Sequence, residues 1–248
     1  AYVADNGGLA LKDIGKAARF ASPQTRSNTM HSMMWQRFSA LFPSEYRSLV
    51  KEFEIATDGP GNVTAYSGLS NHRFGTWVLG VDPADVFPGG QWDKAELDAS
   101  LIHEFGHILF QREGQMKYSR RAFAALGTSS YTSEVRKART ACKTFFTFDA
   151  CAQPHSYLYN YMYSFWQPML NQWVAQSGNS VSKRAFLNRH SGGFVSNYAA
   201  SHPVEDMVES FTAFVLRQPP KGSSSVADQK VNFFYQFPEM VNLRAHIR

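Results

Sequence analysis

The spacing of apolar residues along the chain predicts helices and a few strands. Repeats every three to four residues indicate helices at 8–20, 29–42, 93–112, 131–142, 156–177, 203–217 and 226–236. Short alternating or continuous apolar runs indicate strands at 52–56, 63–67 and 76–81. Because these strands precede the 93–112 helix and helices follow it, the pattern predicts an α+β fold with a small N-terminal sheet and a mostly helical C-terminal half.

Breaker-rich stretches interrupt this pattern without dividing it. The segments "TDGPGN" (57–62) and "FPGG" (87–90) are typical of turns, and "QPPKGSSS" (218–225) is typical of an exposed loop. No internal repeat or low-complexity linker separates two parts of the sequence. We therefore expect one domain over 1–248, with a sheet-containing part at about 1–115 and a helical part at about 116–248.

The helix predicted at 93–112 carries three polar residues within the apolar run "SLIHEFGHILF" (100–110). His103 and His107 are one turn apart, so they project from the same helix face. Two neutral imidazoles in this arrangement can both bind a zinc ion, while Glu104, about 100° around the helix, suits a general base better than a ligand. The opposite face carries the apolar residues Leu97, Leu101, Phe105 and Ile108. The alternative is a pair of structural histidines beside a surface glutamate.

A catalytic zinc ion needs a third protein ligand, and two glutamates are candidates. Glu113 follows His107 by six residues, but Phe110 stands where a glycine turn would be needed to bring the chain back. Glu205 lies in "HPVEDMVESFTAFV" (202–215), one turn before Glu209 and away from the core stripe of that helix. Glu205 is the preferred ligand and Glu113 the alternative. A first-turn glutamate favoured only by the helix dipole would also fit the pattern at 205.

Two stretches, about 100–112 and 197–215, resemble the catalytic domain of anthrax lethal factor and its relatives, which are gluzincin metallopeptidases. The resemblance rests on "HEFGH" (103–107), on "EDMVESF" (205–211) and on Tyr198, which stands seven residues before the first glutamate. It implies a zincin-like (gluzincin) fold and one zinc ion (Zn2+) per chain. The gap of 98 residues between the second histidine and that glutamate is longer than this family leads one to expect, which leaves the substrate and the cleft shape open.

The same resemblance implies a role for each matched residue. His103, His107 and Glu205 would be the metal ligands and Glu104 the general base. Tyr198 would stabilise the oxyanion, and Glu209 would orient a ligand histidine.

The pattern and the resemblance together predict a zinc metallopeptidase, a hydrolase that cleaves peptide or protein substrates as an endopeptidase. The alternatives are a zinc amidase acting on a non-peptide or cell-wall amide, and a catalytically silent zinc-binding protein. His190 and His202 are candidate hydrogen-bond donors to the substrate or, alternatively, surface or capping residues. The strand at 76–81 is expected to be either an edge strand that pairs with extended substrate or an interior core strand.

Composition adds expectations about partners and compartment. The net charge is +5, but the basic residues are scattered, so we expect no nucleic-acid partner. No apolar run approaches the roughly 18 residues that a membrane span needs. Cys142 and Cys151 could form a disulfide or remain buried thiols. With a start at Ala1 rather than Met, the disulfide would suit a secreted or cell-envelope protein. Asn62 begins a glycosylation sequon.

Overall fold

The computed structural model describes residues 1–5, 8–12, 26–59, 61, 63–175, 180–222 and 225–248. These form two compact units, residues 1–109 with Ile247 and residues 110–246 with Arg248. Each unit is described separately, and a single domain over 1–248 stays a prediction. The sequon at Asn62 lies outside the described residues. Within the described part of the chain, no helix has the length and apolar character needed to cross a membrane.

The first unit combines a mixed sheet with the helix that carries the two histidines. Its described strands have the order β2-β1-β3-β5-β4, with β3 and β5 parallel and the other neighbours antiparallel. The elements are β1 (Tyr2–Asp5), β2 (Gly8–Leu11), α1 (Asn28–Leu41), α2 (Ser44–Arg47), β3 (Val50–Ile55), β4 (Ala65–Leu69), β5 (Trp77–Val81), α3 (Pro83–Val86), a 3₁₀ turn (Pro88–Gly90) and α4 (Lys94–Gln111), whose last two residues fall in the second unit.

The second unit is mostly helical and contains a small antiparallel sheet of order β6-β8-β7 in its described part. Its elements are β6 (Met116–Tyr118), α5 (Arg120–Ala124), α6 (Tyr131–Ala141), β7 (Phe146–Thr147), β8 (Ala150–Ala152), α7 (Tyr157–Tyr161), a π-helical turn (Met162–Trp166), α8 (Leu170–Ala175), α9 (Ser180–Arg189), 3₁₀ turns (Ser191–Gly193 and Ala199–Ser201), α10 (Pro203–Leu216), α11 (Val226–Asn232), a 3₁₀ turn (Phe233–Gln236) and α12 (Pro238–Ile247). The expected α+β class is confirmed.

Helix α4 is fixed within the first unit by packing and by charge. Phe105 stacks on Phe42 with ring centroids 3.9 Å apart, and both side chains are buried. Arg37 of α1 donates from Nε and Nη2 to the two carboxylate oxygens of Asp98, at 2.5 and 2.6 Å. The apolar stripe predicted on α4 is confirmed, since each of its members is fully buried: Leu97, Leu101, Phe105 and Ile108.

Long periodic helices were predicted well, whereas interrupted ones were not. Four expected helices are confirmed, and no end differs from its prediction by more than one residue: 29–42, 93–112, 131–142 and 203–217. The helix expected at 156–177 is divided, because Pro168 has no N–H to donate and follows a π-helical turn. The segment at 226–236 ends as a 3₁₀ turn, and α12 was not predicted.

One helix expectation and one strand interpretation need correction, and one sheet was not predicted. The helix expected at 8–20 is wrong at its start, because "GLAL" alternates and forms β2 against β1; residues 13–20 lie outside the described residues. Strand β5 is interior, since it pairs with β3 and β4, so its interpretation as an edge strand for substrate is wrong. The sheet β6-β8-β7 was missed because its strands have only two or three residues.

Candidate metal centre

The two histidines of α4 have the separation that a shared metal ion requires. Their Nε2 atoms are 3.3 Å apart, and the imidazole planes are inclined by 70°. Two nitrogens bound tetrahedrally at about 2.0–2.1 Å from one zinc ion would lie about 3.3–3.4 Å apart. The measured separation matches this value, so these two of the three predicted ligands fit zinc.

Glu104 lies beside these histidines on α4 and is held by strand β4. Ser67 donates a hydrogen bond from Oγ to Glu104 Oε2 at 2.7 Å, and its Oγ is also 3.2 Å from the Glu104 carbonyl oxygen. A hydrogen bond to a carboxylate fixes its orientation and is stronger than one between neutral groups. The sequence alone did not indicate Ser67, because no local signal connects residues 37 positions apart.

Helix α10 of the second unit carries both predicted glutamates on its less buried face. Pro203 occupies its first turn, and His202 caps it by accepting the Val204 N–H at Nδ1, 3.1 Å away. The capping interpretation of His202 is therefore confirmed. Glu205 and Glu209 are partly buried, and Ser196 Oγ donates to Glu209 Oε2 at 2.6 Å. The predicted core stripe is confirmed as buried: Val204, Met207, Phe211 and Val215.

A buried ion pair anchors the first turn of α10. The side chains of Asp206 and Lys230 are both fully buried, with Lys230 Nζ 2.6 Å from Asp206 Oδ2. Trp166 donates from Nε1 to the same oxygen at 2.7 Å, and Tyr161 donates to the Asp206 carbonyl oxygen. Burial raises the pKa of Asp206 to about 6 against the opposing attraction of Lys230, and burial lowers the pKa of Lys230. This network holds the residue that directly follows Glu205.

Comparison with known proteins identifies the family. A family model described as "Putative zinc-binding metallo-peptidase" matches residues 91–232, which is more than half of the chain. The chain belongs to this zinc-binding metallopeptidase family. The matched segment begins just before α4 and ends with α11, so it includes both histidines and both glutamates of α10. No curated protein and no solved structure matched the chain.

Three other candidate residues from the sequence lie in the second unit: Tyr198, Glu113 and His190. Tyr198 is 56% exposed and precedes the 3₁₀ turn that leads to α10. Glu113 is exposed after the end of α4, 4.0 Å from Arg120. His190 lies 3.2 Å from the side-chain oxygen of Gln172, and burial, together with nearby cations, lowers its pKa.

The predicted disulfide is present in the second unit. Cys142 at the end of α6 is bonded to Cys151 of β8, with the Cα atoms 5.6 Å apart. The bond closes a loop that contains the β7–β8 hairpin. Each short strand of this hairpin has few ladder hydrogen bonds of its own, so the covalent link restrains it.

Proposed function

We propose that this metallopeptidase is an endopeptidase with one zinc ion per chain, held by His103, His107 and Glu205. The 3.3 Å separation of the two Nε2 atoms carries the proposal, because it equals the distance expected across one tetrahedral zinc ion. The family match supports it further, since the matched segment contains all three residues. Glu205 is preferred to Glu113, which is solvent-exposed near an arginine.

Each candidate residue would have a separate role in the hydrolysis of the peptide bond. Zinc, when bound, acts as a Lewis acid that polarises a carbonyl group and lowers the pKa of water. The Glu104 carboxylate accepts a proton from the attacking water and passes it to the leaving amine. Ser67 keeps that carboxylate in one orientation. The Tyr198 hydroxyl donates to the developing oxyanion, and Glu209 orients a ligand histidine.

This set of roles is that of a gluzincin, and we extend the proposal to the lethal-factor type of that group. The support is the sequence order: two histidines one turn apart, then a tyrosine, then two glutamates one turn apart on a later helix. We also propose a secreted or cell-envelope location, which the disulfide supports because such bonds persist in oxidising compartments.

Substitution of the general base tests the proposed function. Zinc-loaded wild type should cleave a mixture of unstructured peptides, and Glu104→Gln should bind the same amount of zinc while its kcat falls by at least about 10²-fold. Glu113→Gln is the matched control and should retain both zinc and activity. An active Glu104→Gln enzyme would refute the base assignment. Cleavage of cell-wall amides without peptide cleavage would instead establish the amidase alternative. Zinc binding without turnover of either substrate would establish the catalytically silent zinc-binding protein.

A further inference from the structure

The hairpin between β7 and β8 holds an aromatic residue in a backbone conformation that favours glycine. Thr147 pairs with Ala150, so Phe148 and Asp149 form a two-residue loop, with φ values of +45° and +60°. Positive φ at both central positions is the requirement of a type I′ turn, for which Asn-Gly and Asp-Gly are the favoured sequences. A bulky side chain in this region is strained, so Phe148 is a costly choice for the turn.

Other parts of the second unit hold this strained turn in place. The disulfide from Cys142 fixes β8 at Cys151, two residues after Asp149. Tyr131 of α6 donates a hydrogen bond to the Asp149 carboxylate. The surrounding fold therefore determines the direction in which Phe148 projects, as is typical where local strain serves a function.

Burial does not explain the choice of Phe148, because 51% of its surface is exposed. Its ring lies 5.2 Å from the His202 ring, and the Trp173 ring lies 5.3 Å from the same imidazole. Phe148, His202 and Trp173 thus form an aromatic patch on the second unit. Such surfaces interact favourably with apolar and aromatic side chains, whose stacking adds to the burial of apolar area.

The aromatic patch lies at the beginning of the helix that carries the proposed zinc ligand. His202 is the cap of α10, and Glu205 is the third residue of that helix. The proposed function brings a peptide substrate to this helix end. A side chain of that peptide close to the scissile bond would come within reach of the patch.

We propose that Phe148 is a specificity-determining residue, which recognises an apolar, preferably aromatic, side chain of the peptide substrate together with His202 and Trp173. The inference rests on the proposed function, and it assigns a role to the long segment between the two motif stretches at 100–112 and 197–215. The strain of the turn is retained because this position presents the ring to the substrate.

The test replaces Phe148 by the residue that the turn itself favours. In Phe148→Asn, the Tm should rise by about 2–4 °C, because asparagine tolerates a positive φ better than phenylalanine does. A peptide library varied one position at a time identifies the position at which wild type prefers Phe over Ala. At that position we expect Phe148→Asn to lose about tenfold in kcat/KM for the Phe peptide and little for the Ala peptide. Tyr163→Asn, at an aromatic residue that is 64% exposed in the same unit, is the matched control.

Binding provides a second readout that does not depend on turnover. In the Glu104→Gln background, fluorescence anisotropy of the labelled Phe peptide should show a weaker Kd when Phe148→Asn is added. A wild type that cleaves while Phe148→Asn keeps its full preference for Phe refutes the inference alone. A parallel loss for both peptides with a lower Tm also refutes it, because Phe148 would then be structural. A wild type that cleaves no peptide refutes the proposed function, and the inference with it.

Discussion

Replacement of Lys230 by methionine should strongly destabilise the protein, because it leaves the buried carboxylate of Asp206 without its cation. Neither side chain has measurable exposure, and the charged atoms are 2.6 Å apart. At an effective dielectric constant of about 20, charges at that separation attract each other by about 6 kcal/mol. Methionine preserves most of the aliphatic packing of the lysine, so the change isolates the charge.

We expect Lys230→Met to lose about 3–5 kcal/mol of unfolding free energy at pH 7.5, the range measured when one partner of a buried pair is removed. For a chain of this size that loss corresponds to a Tm lower by about 6–20 °C. The remaining hydrogen bond from Trp166 to Asp206 reduces the loss without abolishing it. Thermal melting followed by circular dichroism and urea denaturation provide the two measurements.

Two further variants give this prediction its controls. Lys137→Met removes the cation of an exposed ion pair, in which the lysine side chain is 65% exposed, and should change stability by less than about 0.5 kcal/mol. The double variant Asp206→Asn/Lys230→Met removes both buried charges and should recover much of the loss, since an amide can still accept from Trp166. A loss in Lys230→Met no larger than that in Lys137→Met would refute the reasoning.

Three other predictions concern α4 and the disulfide. Ser67→Ala should lower kcat about tenfold with unchanged zinc content and KM, because Glu104 loses an orienting charge-assisted hydrogen bond. Ser67→Thr, which keeps the hydroxyl group, should retain activity. A Ser67→Ala enzyme with the kcat of the wild type would contradict this prediction. Burial alone would raise the pKa of Asp98, but hydrogen bonds from Arg37 and Lys94 outweigh the effect of burial and lower the pKa. The carboxylate therefore adds stability that is present above its unfolded pKa of about 3.9 and is lost as pH falls through the lowered value, so Asp98→Asn should flatten the acid side of a urea-denaturation series; an unchanged slope would count against the pair. Cys151→Ala should lower the unfolding free energy by about 2–3 kcal/mol in denaturant titrations, whereas no loss would mean that the closed loop is ordered without the bond.

The parts of the structure that could be predicted from the sequence are those with long, regular local patterns. Helix α4 has an apolar stripe over several turns, and its two histidines share a face because residues four apart always do in a helix. Helix α10 has the same advantages, with Pro203 marking its start and a continuous buried stripe. In both helices the predicted metal ligands lie away from the apolar stripe, so the periodicity also selected these candidate residues.

The parts that could not be predicted depend on contacts between distant positions. Lys230 stands at a position that lysine rarely occupies, and it can be buried only because Asp206 lies beside it, 24 residues away in the sequence. Ser67 reaches Glu104 only through the packing of β4 near α4. The β7–β8 turn contradicts local rules outright, since Phe148 has neither the side chain nor the flexibility of a favoured turn residue. Non-local contacts decide these positions, and a single sequence does not record them.

The most direct test of the central claim is the zinc content per chain, measured by elemental analysis in wild type and in Glu205→Ala. The account predicts about one zinc ion in the wild type and almost none in the variant, which would establish the two α4 histidines and Glu205 as the ligand set. If Glu205→Ala retains zinc, another residue is the third ligand, and the proposal of a gluzincin site is wrong. A wild type that binds no zinc would contradict the account as a whole.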